Sequence, residues 1–265
     1  MPLRDVFRLI VSIAALASAL PSSGASAAPP ALQGRWVVRQ VAVDRNDTIR
    51  RSSEPDDPRL MGSVLDILAD GSIDPARQDC KRATWQARGS TTLAALVGRN
   101  VRESSGKRTH PSLEDYALAL GNPKLPLHVA LCAAPSPGAR REPYDGGNWF
   151  APLSADRMIE GNGVDTVLVY QRITDKTPVE ASFKCTGSLG DARQAVCRSQ
   201  ILAGLDRSVA LAYERARKRS DGGAATLQSL EHEQAAWAAE RDRCNADERC
   251  LVERMNDRIQ DLMQR

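Results

Sequence analysis

Three histidines in 265 residues leave this chain few side chains that exchange protons near neutral pH. His110 sits in a polar stretch beside Pro111, His128 in an alternating apolar run, and His232 next to Glu233 in a helical pattern. The string His232-Glu233-Gln234-Ala235-Ala236 lacks the second histidine of a zinc-protease helix. There is no Gly-x-Ser-x-Gly, no phosphate-binding loop and no dinucleotide fingerprint. The carboxylates are scattered, and Glu231 with Glu233 and Glu248 with Glu253 read as solvated helix faces. The cysteines lack metal-site spacing. No catalytic residue, metal ligand or cofactor is expected, so the chain reads as a binding protein and not as an enzyme.

An excess of charge of one sign is also missing. The net charge is +3, and residues 180–265 hold 14 basic and 14 acidic residues. That balance excludes a dedicated nucleic-acid surface and capture of a partner by bulk charge. Only one long apolar run exists, at residues 9–20, and its 12 residues fall short of the ~20 that span a bilayer. Arg4 and Arg8 precede it and Ala25-Ser26-Ala27 follows. Residues 1–27 therefore read as a secretory signal peptide cut after Ala27. No cysteine follows the run closely enough to carry a lipid. The expected product is periplasmic or secreted, with no transmembrane segment.

Six cysteines in an exported chain imply three disulfides. Six allow 15 connectivities. Spacing favours Cys185–Cys197, Cys244–Cys250 and Cys80–Cys132, with crossed pairing inside the C-terminal region as the rival.

Two patterns divide the rest. Residues 31–174 alternate in short runs, with strands expected at 35–43, 64–73 around Asp70-Gly71, 83–87, 127–133, 149–153, 157–160 and 166–173. A short helix is expected at 112–120. Residues 175–180 read as a linker. Residues 181–265 switch to helical periodicity, with three stripes. The first holds Leu202, Leu205, Val209, Ala212, Tyr213 and Ala216. The second holds Leu227, Leu230, Gln234, Trp237 and Arg241. The third holds Leu251, Met255, Arg258, Ile259 and Leu262. Ser199 should cap the first helix, and Asn245 with Glu248 has capping-box spacing for the third. The glycine turn at 221–223 predicts that the first two helices form an antiparallel hairpin. Register then brings Asp206 near Trp237 and Arg241, a polar tie across the hairpin. The basic run 215–219 ends the first helix, where positive charge suits the helix dipole.

The fold class expected is α+β in two domains: an antiparallel barrel or sandwich, then a disulfide-stapled three-helix domain. Two resemblances sharpen this. Phe183-Lys184-Cys185, Ala195-Val196-Cys197, Leu205-Asp206 and Tyr213, then Gln234-x-x-Trp237-x-x-x-Arg241-x-x-Cys244, Cys250-Leu251 and Arg258-Ile259-x-x-Leu262 resemble the LprI-type lysozyme-inhibitor domain. Met255 stands where an aromatic is more usual in that family. The resemblance implies an envelope domain that binds lysozyme, with Asp206, Tyr213, Gln234, Trp237, Arg241 and Arg258 as its structural motif. Gly34-Arg35-Trp36 resembles the Gly-x-Trp that opens lipocalin barrels, where the tryptophan closes the barrel floor. That short likeness implies the alternative reading: a barrel that carries a small envelope ligand or lipid, with the helical region as a structural or docking module.

Overall fold

In a computed structural model, the described residues are 27–46, 53–75, 83–99, 112–132, 149–162, 166–220 and 224–265. The expected signal peptide up to residue 26, Cys80, His110 and the turn at 221–223 lie outside them, so the Cys80–Cys132 pairing is not described.

Alternation in the first half produces eight strands. They are β1 (Gly34–Val43), β2 (Val64–Ile67), β3 (Ile73–Pro75), β4 (Ala83–Thr92), β5 (Lys124–Cys132), β6 (Trp149–Pro152), β7 (Arg157–Asn162) and β8 (Thr166–Ile173). Every expected run contains a strand, and 64–73 folds back at Asp70-Gly71 into two. The sheet order is β3-β2-β1-β8-β7-β6-β5-β4, antiparallel throughout. This is an up-and-down meander in which β1 and β8 also pair, curled into a half-barrel that is open between β3 and β4 among the described residues. Among the described residues no ladder crosses from β3 to β4. A side chain spans the seam instead: the Trp85 indole N–H donates to the Gly71 carbonyl at 2.9 Å.

The concave face takes every second residue, as a pleated strand requires. Trp36, Leu168, Met158, Phe150 and Trp85 pack there into one buried cluster. Its floor is the turn before β1. The Trp36 indole N–H donates to the Leu32 carbonyl at 2.8 Å, and the Arg172 guanidinium lies 4.0 Å over the Trp36 ring. Arg172 also donates to the Ala31 and Gln33 carbonyls, tying β8 to that turn.

The convex face is apolar too, with Leu127, Ala151, Ile159, Val167 and Val169 covered by α1 (Leu93–Arg99) and residues 113–120. Here two expectations fail. α1 was not expected, although Thr92 caps it by accepting the Ala95 N–H at 3.3 Å. Residues 112–120 form turns, not a helix, because Ala117 sits at φ +51 and breaks the helical run. β4 runs on to Thr92 through a bulge between Ala87 and Ser90, where Gly89 adopts φ +79.

The second half gives α2 (Asp191–Val196), α3 (Gln200–Arg219), α4 (Ala224–Asp242) and α5 (Glu248–Met263). The three expected helices are joined by the short α2. Ser199 caps α3 by accepting the Leu202 N–H at 3.3 Å. The cap of α5 is Asp247, which accepts the Cys250 N–H at 3.0 Å, and not Asn245. Asn245 takes φ +49 instead, a conformation asparagine tolerates, and turns the chain inside the Cys244–Cys250 loop.

The expected α3–α4 hairpin is not the main packing. α3 and α5 lie side by side and parallel. Ser199 Oγ donates to Glu248 Oε1 at 3.3 Å where both helices begin, and Arg219 donates to the Leu262 carbonyl at 2.8 Å where both end. The stripes explain the choice. α5 buries its whole set of Leu251, Met255, Arg258, Ile259 and Leu262, whereas α4 buries Leu230 and Arg241 alone among its described residues.

The two halves touch through residues 53–63. These line the β1 edge beyond β2: Gly62 N–H donates to the Val38 carbonyl at 3.1 Å and Asp56 N–H to the Val41 carbonyl at 2.8 Å. α3 lies on the same segment. Gly62, at φ +70, meets Gly204 backbone to backbone. Ser208 donates to the Met61 carbonyl, and Arg215 donates to the carbonyls of Pro55 at 2.7 Å and Asp56 at 3.0 Å. The expected linker is anchored as well. Gln200 donates to the Thr177 carbonyl at 2.9 Å, and Val179 packs on the helical core.

Candidate functional site

The six motif residues of the helical half are spent on scaffold. Asp206 is buried; its Oδ2 accepts the Ser182 N–H at 2.7 Å and its Oδ1 lies 3.5 Å from Arg241 Nη1. Arg241 also holds Asp242 at 2.7 Å and sits 5.4 Å from the Trp237 ring centre. Trp237 does not reach Asp206. Its indole N–H points to α5 and donates to the Arg254 carbonyl at 3.3 Å, because α5 occupies the space the hairpin would have closed. Buried Arg258 donates to Gln234 at 3.0 Å and pairs with Asp261 at 2.6 Å, so α4 and α5 are tied by the same motif. Tyr213 packs half-buried on the core beneath Arg217.

Exposed and rigid chain is found at one end of this bundle. Cys185 bridges Cys197 and Cys244 bridges Cys250, each with Cα atoms 5.7 Å apart. These are the two local pairs favoured by spacing. Residues 184–188 and 245–249 are exposed. The Ser199–Glu248 hydrogen bond brings both loops to the shared starting end of α3 and α5. Gly187 turns the first loop at φ +84 and Asn245 turns the second. The first loop is further braced by Arg193, whose guanidinium lies 4.2 Å over the Phe183 ring.

The basic run 215–219 is largely committed. Arg215 serves the contact with residues 54–56, Arg217 pairs with Glu214 at 3.3 Å, and Arg219 caps α5. Lys218 is exposed, and its side chain has no partner among the described residues.

The concave face holds a buried carboxylate that the alternation could have revealed. Glu160 follows inward-facing Met158 by two and is buried, accepting the Tyr170 hydroxyl. His128 stands on the same row, opposite Phe150, which is opposite Glu160. Burial holds the His128 imidazole below its ordinary pKa. The apolar lining is closed on itself: Trp36, Phe150, Met158 and Leu168 are each no more than 2% exposed. His232 is exposed on α4. Among the described residues no three His, Cys, Asp or Glu side chains gather as metal ligands, and no helix is long and apolar enough to cross a membrane.

No protein-family model, curated protein or solved structure matches the chain.

Proposed function

We propose that this is an exported, non-enzymatic protein that binds and inhibits lysozyme through the disulfide-closed end of its helical half. The observation that carries the reading is the division of labour there. The motif residues are consumed in the scaffold, and what they hold up is a pair of exposed loops fixed by two disulfides. Loops already fixed lose little entropy on docking, which favours a protein partner with a shaped cleft. Lysozyme acts with two carboxylates across such a cleft, and blocking it needs no chemistry from the inhibitor. The two bridges and the signal-peptide pattern support an oxidising compartment outside the cytoplasm. In this reading the barrel half, residues 31–174, is a second domain that carries and presents the helical domain, residues 181–265.

The test is inhibition of cell-wall lysis by the oxidised chain starting at Ala28, titrated against c-type, g-type and i-type lysozymes. Saturable inhibition of at least one type is expected. Undiminished lysis by all three would sink the reading.

A further inference from the structure

We infer that the disulfide-closed end recognises carboxylates on its partner, through Lys184, Arg198 and Arg249. This rests on the protein-binding reading above and names the chemistry of that contact.

The three cations are strung along one short path. Lys184 precedes Cys185, which is bridged to Cys197. Arg198 follows Cys197 and precedes Ser199, which is hydrogen-bonded to Glu248. Arg249 comes next. One disulfide and one hydrogen bond therefore hold three basic side chains at one end of the bundle. All three are exposed, and none makes a hydrogen bond, an ion pair or a ring contact among the described residues.

Most other basic side chains of this half are engaged, Lys218 and Arg254 excepted among the described residues. Arg193 is stacked on Phe183, Arg207 donates to the Glu180 carbonyl, and Arg215, Arg241, Arg258 and Arg265 all hold acceptors on other segments. The acids at the same end are mostly engaged: Glu248 by Ser199, Asp247 by the Cys250 N–H and Asp242 by Arg241. Asp191 is the remaining free carboxylate of the first loop and the α2 start. The helical half is neutral as a whole; at this end Asp247 and Glu248 keep their charge but each has an acceptor oxygen already engaged, whereas the three cations keep their side-chain donors free among the described residues. Guanidinium groups with unused N–H donors match carboxylates two bonds at a time. A cleft that works with two carboxylates presents that acceptor chemistry.

The experiment compares the full oxidised chain with three variants in the lysis assay, at low and at physiological ionic strength. One variant carries Lys184→Glu, Arg198→Glu and Arg249→Glu. A second replaces the same three by Gln. The third, Lys218→Glu, reverses a free charge at the opposite end of α3. Melting temperature and free-thiol titration check that each variant is folded and bridged. The triple Glu variant should lose about 100-fold in inhibition, with the Gln variant between it and the parent. The parent's inhibition should weaken with salt more steeply than the Gln variant's. Lys218→Glu should match the parent. A parent that inhibits, together with a Gln variant that inhibits equally, would overturn carboxylate recognition and leave the lysozyme reading standing. A parent that inhibits no lysozyme would fail the functional reading itself.

Discussion

At the scale of single residues, the buried Asp206 carboxylate does most to join the helical half. It meets Arg241 of α4 and the Ser182 N–H of the segment before α2. If it is removed, Arg241, whose side chain is only 9% exposed, keeps Asp242 but loses its buried partner on α3, and the Ser182 N–H loses its acceptor. Asp206→Ala should therefore cost about 2 kcal/mol, read as a lowered melting temperature. Asp206→Asn keeps an acceptor for Ser182 and should cost less. The Asp206–Arg241 pair was legible in the sequence, because the short turn expected after the first helix sets the level of Asp206 against Arg241 of the second stripe. The third partner was not. Stripe periodicity gives the height of Trp237 on its helix but not which neighbour fills the adjacent groove, and α5 filled it. Arg172 over Trp36 was hidden for a different reason: 136 residues separate them, and only the β1–β8 register places them side by side.

At the scale of elements, alternation and stripes revealed the strands and long helices, whereas short pieces escaped. α1 and α2 have 7 and 6 residues, fewer than two full turns, so no stripe develops. The contact of α3 with residues 53–63 also left no pattern, since it rests on two glycines far apart in sequence. A Cβ on Gly62 would stand 2.6 Å from the Gly204 carbonyl oxygen, and one on Gly204 would meet the Gly62 carbonyl oxygen more closely still. Both obstacles are backbone and neither can swing aside. Gly204→Ala should cost about 1–3 kcal/mol through overpacking. Hydrogen exchange should show the loss first at residues 53–63, while the α3–α5 amides stay protected. Unchanged exchange at 53–63 would mean that the two halves are not held by this crossing.

At the scale of the whole molecule, the same segment couples folding to acid. Asp57 is fully buried within it, and burial alone would raise its pKa. The Arg59 side chain and the N–H groups of Arg59 and Glu54 outweigh burial and hold the pKa below the ordinary carboxylate value. The folded value lies below the unfolded one, so the stabilisation is complete above the unfolded pKa of about 3.9 and fades as pH falls through the folded value. Asp57→Asn should flatten the acid limb of a urea-midpoint profile, and a limb as steep as the parent's would remove Asp57 from that role. The disulfide-closed end was legible in part. The cysteine spacing announced its loops, but their meeting depends on the parallel α3–α5 pairing, which no local pattern encodes.

The seam of the barrel has a consequence for how copies of the chain meet. Among the described residues β4 pairs with β5 alone and so presents a rim beyond Trp85, and a straight rim would template extended strands from other molecules into a growing fibre. The Gly89 bulge twists this rim out of line, and the exposed Arg88 beside it sets like charges against each other in any rim-to-rim approach. The open edge of the sheet is therefore a poor template for pairing with a second copy.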